Sequence, residues 1–170
     1  PASAWTINLA GVTVSNAAVE IQDKQAGSYT KLYDVSLNLS EFAVDTWTKA
    51  DFAAKGENNQ QNFTAQGSAE FKLAKGFAEY ALRNIDLNAS FSDPATKMDS
   101  IKLGLETFEF DKANALTYSV AGQAAGLDID MKGAGALTVD KAISKVVMNK
   151  LTLDATFKGD SLPQSPMKVD

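Results

Sequence analysis

Residues 62–73 read NFTAQGSAEFKL. Phe63, Ala65, Gly67, Ala69, Phe71 and Leu73 fall on one parity, and Thr64, Gln66, Ser68, Glu70 and Lys72 on the other. Successive side chains of a strand point to opposite faces, so this stretch predicts a strand with one apolar and one polar face. At helical spacing the same apolar residues would be scattered around the circumference.

The alternation continues on both sides. It runs through 5–14, 18–22, 29–45, 49–56, 80–92, 98–111, 115–122, 127–139 and 146–158, which with 62–73 makes ten expected strands. Many are long against the usual strand of about 5–6 residues. All four prolines (Pro1, Pro94, Pro163, Pro166) lie outside these runs, as ladder hydrogen bonding requires. Turn residues fill the connections: Ser15-Asn16, Gln25-Ala26-Gly27, Gly56 to Asn59, Ser92-Asp93-Pro94 and Asp111-Lys112. Only 74–83, through Ala78, Ala81 and Leu82, competes as a helix.

The chain also repeats itself. Residues 32–92 laid over 98–158, an offset of 66 without a gap, match Leu37 with Leu103, Phe42 with Phe108, Gly67 with Gly133 and Leu87 with Leu153. Phe52 with Tyr118 and Phe71 with Leu137 match in type. This predicts an N-terminal hairpin (1–31), two copies of a four-strand unit (32–97 and 98–163) and a tail (164–170). Two similar halves of an ordinary barrel or sandwich are the alternative. Alternation slips at Ser40-Glu41 and Glu106-Thr107, and again at Arg83-Asn84 and Asn149-Lys150. Each slip reads as a β-bulge that curls the sheet, or else as a strand end. The expected fold class is all-β: a long antiparallel meander of about ten strands, curled into an open groove.

A sheet with one apolar face must bury it. No other element of the sequence looks available to cover it. The sheet could fold on itself as a sandwich, close as a barrel, or form an apolar trough; short sequential links favour a meander. Small residues (Ala65, Gly67, Ala69; Gly133, Gly135) sit between bulky ones along two strands. They fit a sheet that packs against its own backbone, or a face with room for an acyl chain.

Composition narrows the chemistry. The 170 residues are about one domain. Hydrophobic content of 45% with 22% charged residues argues for a folded chain. Sixteen basic against 21 acidic residues show no basic face for nucleic acid. Histidine and cysteine are absent, so there is no Cys or His nucleophile–base pair, no zinc site of nitrogen and sulfur ligands, and no disulfide. No apolar run approaches the roughly 18 residues of a membrane helix. The chain opens PASAW and closes MKVD, which reads as an excised segment with any anchor or targeting signal outside it.

Isolated motifs carry little. Asp128 and Asp130 form a D-x-D on the polar parity, with no further ligand cluster. Gly133-Ala134-Gly135 lacks the strand–helix setting of a phosphate loop. Asn38, Asn62 and Asn88 open glycosylation sequons that fall on strands. Trp5 and Trp47 fit core or edge packing better than interfacial anchoring. No base, nucleophile or metal set emerges, so no enzyme and no cofactor is expected. An outer-membrane barrel would need aromatic girdles that are not visible.

The segment 7–42, INLAGVTVSNAAVEIQDKQAGSYTKLYDVSLNLSEF, resembles the AsmA family. The pattern is an apolar strand (7–14), an Asn-containing turn (Ser15-Asn16), an apolar strand ending in Asp (19–23) and a long strand around LYDVSLNL (32–39). LRNIDLNASF (82–91) and MNKLTLDATF (148–157) echo it. The resemblance implies a periplasmic domain, tethered to the inner membrane by an N-terminal helix outside this window. It also implies kinship with TamB and chorein-type bridge-like lipid transfer proteins. It thus implies a non-enzymatic conduit, whose apolar groove shields phospholipid acyl chains on their way to the outer membrane. The groove lining is then expected at Val35, Leu37, Leu39, Phe63, Ala65, Phe71, Leu73, Ile85, Leu87, Ile101, Leu103, Leu105, Ile129, Met131, Leu137, Val139, Leu151 and Leu153. Expected partners are acyl chains, the rest of the parent chain at the open sheet edges, and envelope proteins. The alternative is a scaffold that assists outer-membrane protein assembly by strand addition.

Overall fold

Alternation sustained over a dozen residues produces strands of that length. The computed structural model describes residues 8–9, 11–74 and 78–169. Thirteen strands run through the described residues, with no helix. In order they are β1 (Asn8–Leu9), β2 (Val12–Asp23), β3 (Ser28–Leu39), β4 (Phe42–Ala43), β5 (Thr48–Asn58), β6 (Gln61–Ala74) and β7 (Glu79–Ser92). There follow β8 (Thr96–Phe108), β9 (Asn114–Ala124), β10 (Leu127–Val139), β11 (Val146–Asn149), β12 (Asp154–Lys158) and β13 (Met167–Val169). Eleven strands form one antiparallel sheet in the order β13-β12-β10-β9-β8-β7-β6-β5-β3-β2, with β11 beside β12 on the same edge of β10. The path does not return on itself, so the meander stays open rather than closing as a barrel. The short β1 and β4 make a separate two-stranded ladder.

The sheet is a single layer. The accessible surface of the chain is 11534 Å². A compact monomer of this mass exposes about 8,100 Å². Among the described residues, the only apolar side chains with almost no exposure are Leu105, Leu116 and Ala155. What holds the fold is the backbone ladder and the cross-strand side-chain pairs along it.

Several local expectations are corrected. Residues 78–83, inside the stretch that competed as a helix, enter strand β7 by Glu79, while residues 75–77 lie outside the described residues. Tertiary pairing against β6 overrides a modest helix preference there. Ser15-Asn16 is not a turn. It is a bulge within β2, with Asn16 at φ 57, because β3 pairs with both halves. The bulges expected at Ser40-Glu41 and Glu106-Thr107 do not form: β3 ends at Leu39, and β8 keeps its register with β7 from Leu105 to Thr107. At Arg83-Asn84 the bulge is present, with two residues of β7 opposite Ala69 and Asn84 at φ 50. At Asn149-Lys150 the strand breaks instead, ending β11.

Strand pairs recur at an offset of 66. Leu37 faces Phe52 as Leu103 faces Tyr118, and Phe52 faces Gly67 as Tyr118 faces Gly133. Phe63 faces Phe91 as Ile129 faces Phe157, and Phe71 faces Leu82 as Leu137 faces Met148. Left-handed residues recur with them: Asp45 and Asp111 (both φ 60), Asn59 and Ala125 (55 and 51), Asn84 and Lys150 (50 and 52). Asp45 N–H donates to the Leu73 carbonyl at 2.7 Å, and Asp111 N–H donates to the Val139 carbonyl at 2.8 Å. Four of these six residues are Asp or Asn, which tolerate the left-handed region at modest cost.

Candidate functional site

Register and alternation together sort the side chains into ranks that cross the sheet. One rank runs Val14, Leu37, Phe52, Gly67, Leu87, Leu103, Tyr118, Gly133. A second runs Ala54, Ala65, Ala89, Ile101, Val120, Met131, Ala155. A third runs Leu32, Gly56, Phe63, Phe91, Met98, Gly122, Ile129, Phe157. All three lie on one face, and among the described residues no second sheet or helix covers these ranks; Phe42 of β4 stacks on Phe71 at the margin, ring centroids 6.0 Å apart. Leu37, Phe52, Leu87 and Ile101 each keep more than a third of their surface exposed. Scattered exposed leucines are ordinary, but a contiguous exposed apolar surface marks a site where something apolar docks.

The expected lining residues fall on this face wherever they sit on strands: Val35, Leu37 and Leu39 on β3, four on β6, two on β7, three on β8 and four on β10. The bulge at Asn84 is what keeps both Leu82 and Ile85 on it. Leu151 and Leu153 lie between β11 and β12, outside the ladder. Val14, Phe52, Leu116 and Tyr118 share the face and were absent from the expected set. The alternation of their own strands, β2, β5 and β9, was the signal that could have found them.

The small residues do not leave gaps in it. A Cβ at Gly67 would come within 2.7 Å of the Phe52 ring and 2.6 Å of the Asp86 carbonyl. At Gly133 it would collide with the Thr152 carbonyl and the Tyr118 ring. Glycine is required here because a cross-strand aromatic lies over the backbone. The sheet packs against itself at these points rather than reserving room.

The opposite face is polar and bears a hollow of about 730 Å³. Its lining comes from two adjacent ranks: Asn38, Asp51, Ser68, Asp86, Gly104, Thr117 and Ser36, Ala53, Gln66, Asn88, Lys102, Ser119. Leu87 and Leu103 border it through the intervening rank, whose side chains project to the other face. The expected lining residues otherwise lie away from this hollow. Asp128 and Asp130 also sit on the polar face, Asp128 accepting from Gln123 Nε2 at 2.7 Å and lying opposite Lys158.

At one end of the polar face, Trp47 stacks under the Arg83 guanidinium, 3.9 Å from ring centroid to Cζ, with Lys72 Nζ at 5.1 Å. Arg83 Nε donates to Glu70 at 3.3 Å, and the Asn84 amide donates to the same carboxylate. The Asn84 and Arg83 hydrogen bonds hold the Glu70 carboxyl below its usual range. This cluster fixes the bulge of β7, so Trp47 packs at a structural joint. Trp5 lies outside the described residues.

The AsmA family model matches residues 1–170. The chain belongs to the AsmA family. No curated protein and no solved structure matches it. The AsmA family is consistent with a lipid-transport-related role in the cell envelope.

Proposed function

We propose that this AsmA-family chain is a non-enzymatic periplasmic module whose apolar sheet face forms part of a groove shielding phospholipid acyl chains. The observation that carries the reading is the uncovered apolar face, crossed by continuous apolar ranks. Acyl chains covering it would contribute about 0.8 kcal/mol per buried CH₂. Head groups would stay in water at the sheet margin. The polar hollow is not the acyl site in this reading, because Asp51, Asp86 and Lys102 would lose hydration there without apolar gain. A position between the membranes, tethered to the inner one, and a contribution to outer-membrane biogenesis complete the proposal.

The test uses neighbours on opposite faces. Purified protein is examined by native mass spectrometry, extracted with organic solvent, and its lipid identified. Leu103→Glu should reduce phospholipid loading at least tenfold, whereas Lys102→Glu, one residue away, should leave it unchanged. Equal loading of the two variants would overturn the assignment of the apolar face. A second reading, a scaffold that assists outer-membrane protein assembly by strand addition, is favoured by the outer edge of β11, which has no ladder partner among the described residues. It would lead if the folded, monomeric protein carried no lipid.

A further inference from the structure

The hollow on the polar face differs in its bonding from the sheet around it. Outside it, opposed polar residues bond across the ladder: Thr30 with Asn58, Thr64 with Ser90, Glu70 with Arg83 and Gln123 with Asp128. Inside it, Gln66 opposes Asn88, Asn88 opposes Lys102 and Ser68 opposes Asp86. Among the described residues, none of these five side chains has a hydrogen-bond or ion-pair partner. Gly104 lies in register between Asp86 and Thr117. The point where a Cβ of residue 104 would stand is 3.0 Å from Thr117 Oγ1 and 3.5 Å from Asp86 Oδ1. The missing side chain therefore leaves a notch in which one ligand atom can meet both oxygens.

We infer that this hollow binds a neutral, linear oligosaccharide. The Asp86 carboxylate only accepts, so the notch takes a hydrogen-bond donor. The Lys102 ammonium only donates and asks for an acceptor, while the Gln66 and Asn88 amides do both. Hydroxyl groups donate and accept at once, and a sugar chain carries them on every ring. Charge points the same way. Asp51 has Lys49 at 3.7 Å, which leaves one carboxylate, Asp86, against one ammonium, Lys102. A polyamine would be repelled by Lys102 and an anion by Asp86. The row of polar groups crosses β5 to β9 at roughly 4.8 Å per strand, about 19 Å in all, so the ligand is an extended one. Backbone groups on the floor are spent in the ladder, so recognition rests with the side chains. This inference concerns the polar face and does not depend on lipid binding at the opposite one.

The test titrates the full chain with cellotetraose, maltotetraose and chitotetraose, followed by calorimetry and by backbone amide shifts in NMR. At least one should bind and shift the amides of Asp86, Asn88, Lys102, Gly104 and Thr117. Gly104→Ala fills the notch with one methyl group, and the backbone there is not left-handed, so the strand admits alanine. It should weaken binding at least tenfold. Asp86→Asn keeps the shape, removes the charge and should also weaken binding several-fold. Asp130→Asn, on the polar face outside the hollow, should leave it unchanged. Urea midpoints of all three variants are compared with the parent, so that a lost site is told from a lost fold. Should Gly104→Ala fail to fold, Asp86→Asn alone decides. Binding that survives both hollow variants, shifts that map elsewhere, or no binding of any of the three sugars at millimolar concentration overturns the inference. Tighter binding of spermidine or inorganic phosphate, titrated in parallel, overturns it as well.

Discussion

Strand β7 and the β11–β12 segment lie 66 residues apart and pair inward in the same register, β7 with β6 and β11–β12 with β10. One is a continuous 14-residue strand; the other breaks after Asn149 and resumes at Asp154. Both contain a left-handed residue at the matching place, Asn84 and Lys150. Two things separate them. From Leu82 to Ser92, β7 has β8 on its outer side, whereas β13 covers only part of β12. The bulge of β7 is also clamped by Trp47, Glu70, Arg83 and Asn84, which become Ala113, Ala136, Asn149 and Lys150 in the second unit. In the broken segment the Thr152 side chain and backbone bond to Ala134, and its carbonyl accepts from the Tyr118 hydroxyl at 2.7 Å. The comparison teaches that a bulge inside a sheet needs support from both sides, and that an edge carrying the same pattern comes apart.

The largest expected contrast is from proline. Leu87→Pro removes a ladder hydrogen bond in a strand paired on both sides and should abolish the cooperative unfolding transition or shift its midpoint drastically. Leu153→Pro lies outside the ladder and should move a urea midpoint by less than about 1 kcal/mol equivalent. Comparable losses would mean that the two strands are equally constrained in solution.

A smaller effect comes from the clamp. Trp47→Ala removes a cation–π stack of about 0.5–2 kcal/mol and should expose the amides around Asn84 to hydrogen exchange. The reverse graft, Ala113→Trp with Ala136→Glu, Asn149→Arg and Lys150→Asn, sharpens the comparison. If the clamp suffices, residues 150–153 gain protection; if the outer neighbour is what matters, they do not.

The smallest effect is a pH dependence. The Glu70 carboxyl sits below its usual range, so its contribution is present in full above the ordinary pKa of about 4.3 and is lost as pH falls through the depressed value. Protection near Asn84 should therefore decline on acidification in the parent chain. It should not decline in Glu70→Gln, and the second unit, with alanine at 136, should show no matching titration.

Much of the fold was legible along the chain. The alternation at 62–73 and 127–139 located β6 and β10. Ser15-Asn16 was misread because a bulge and a turn use the same left-handed Asn; only the presence of β3 beside both halves tells them apart. Leu105 and Leu116 illustrate the rest. Nothing in their local sequence distinguishes them from Leu103, yet they are 7% and 2% exposed while the rank beside them stays open. Alternation alone sufficed to divide apolar from polar faces, because it depends only on the geometry of one strand. Which rank is covered, which bulge holds and which edge is left open depends on what lies two strands away. Those outcomes belong to the assembled sheet, where each strand's environment is set by neighbours distant in sequence.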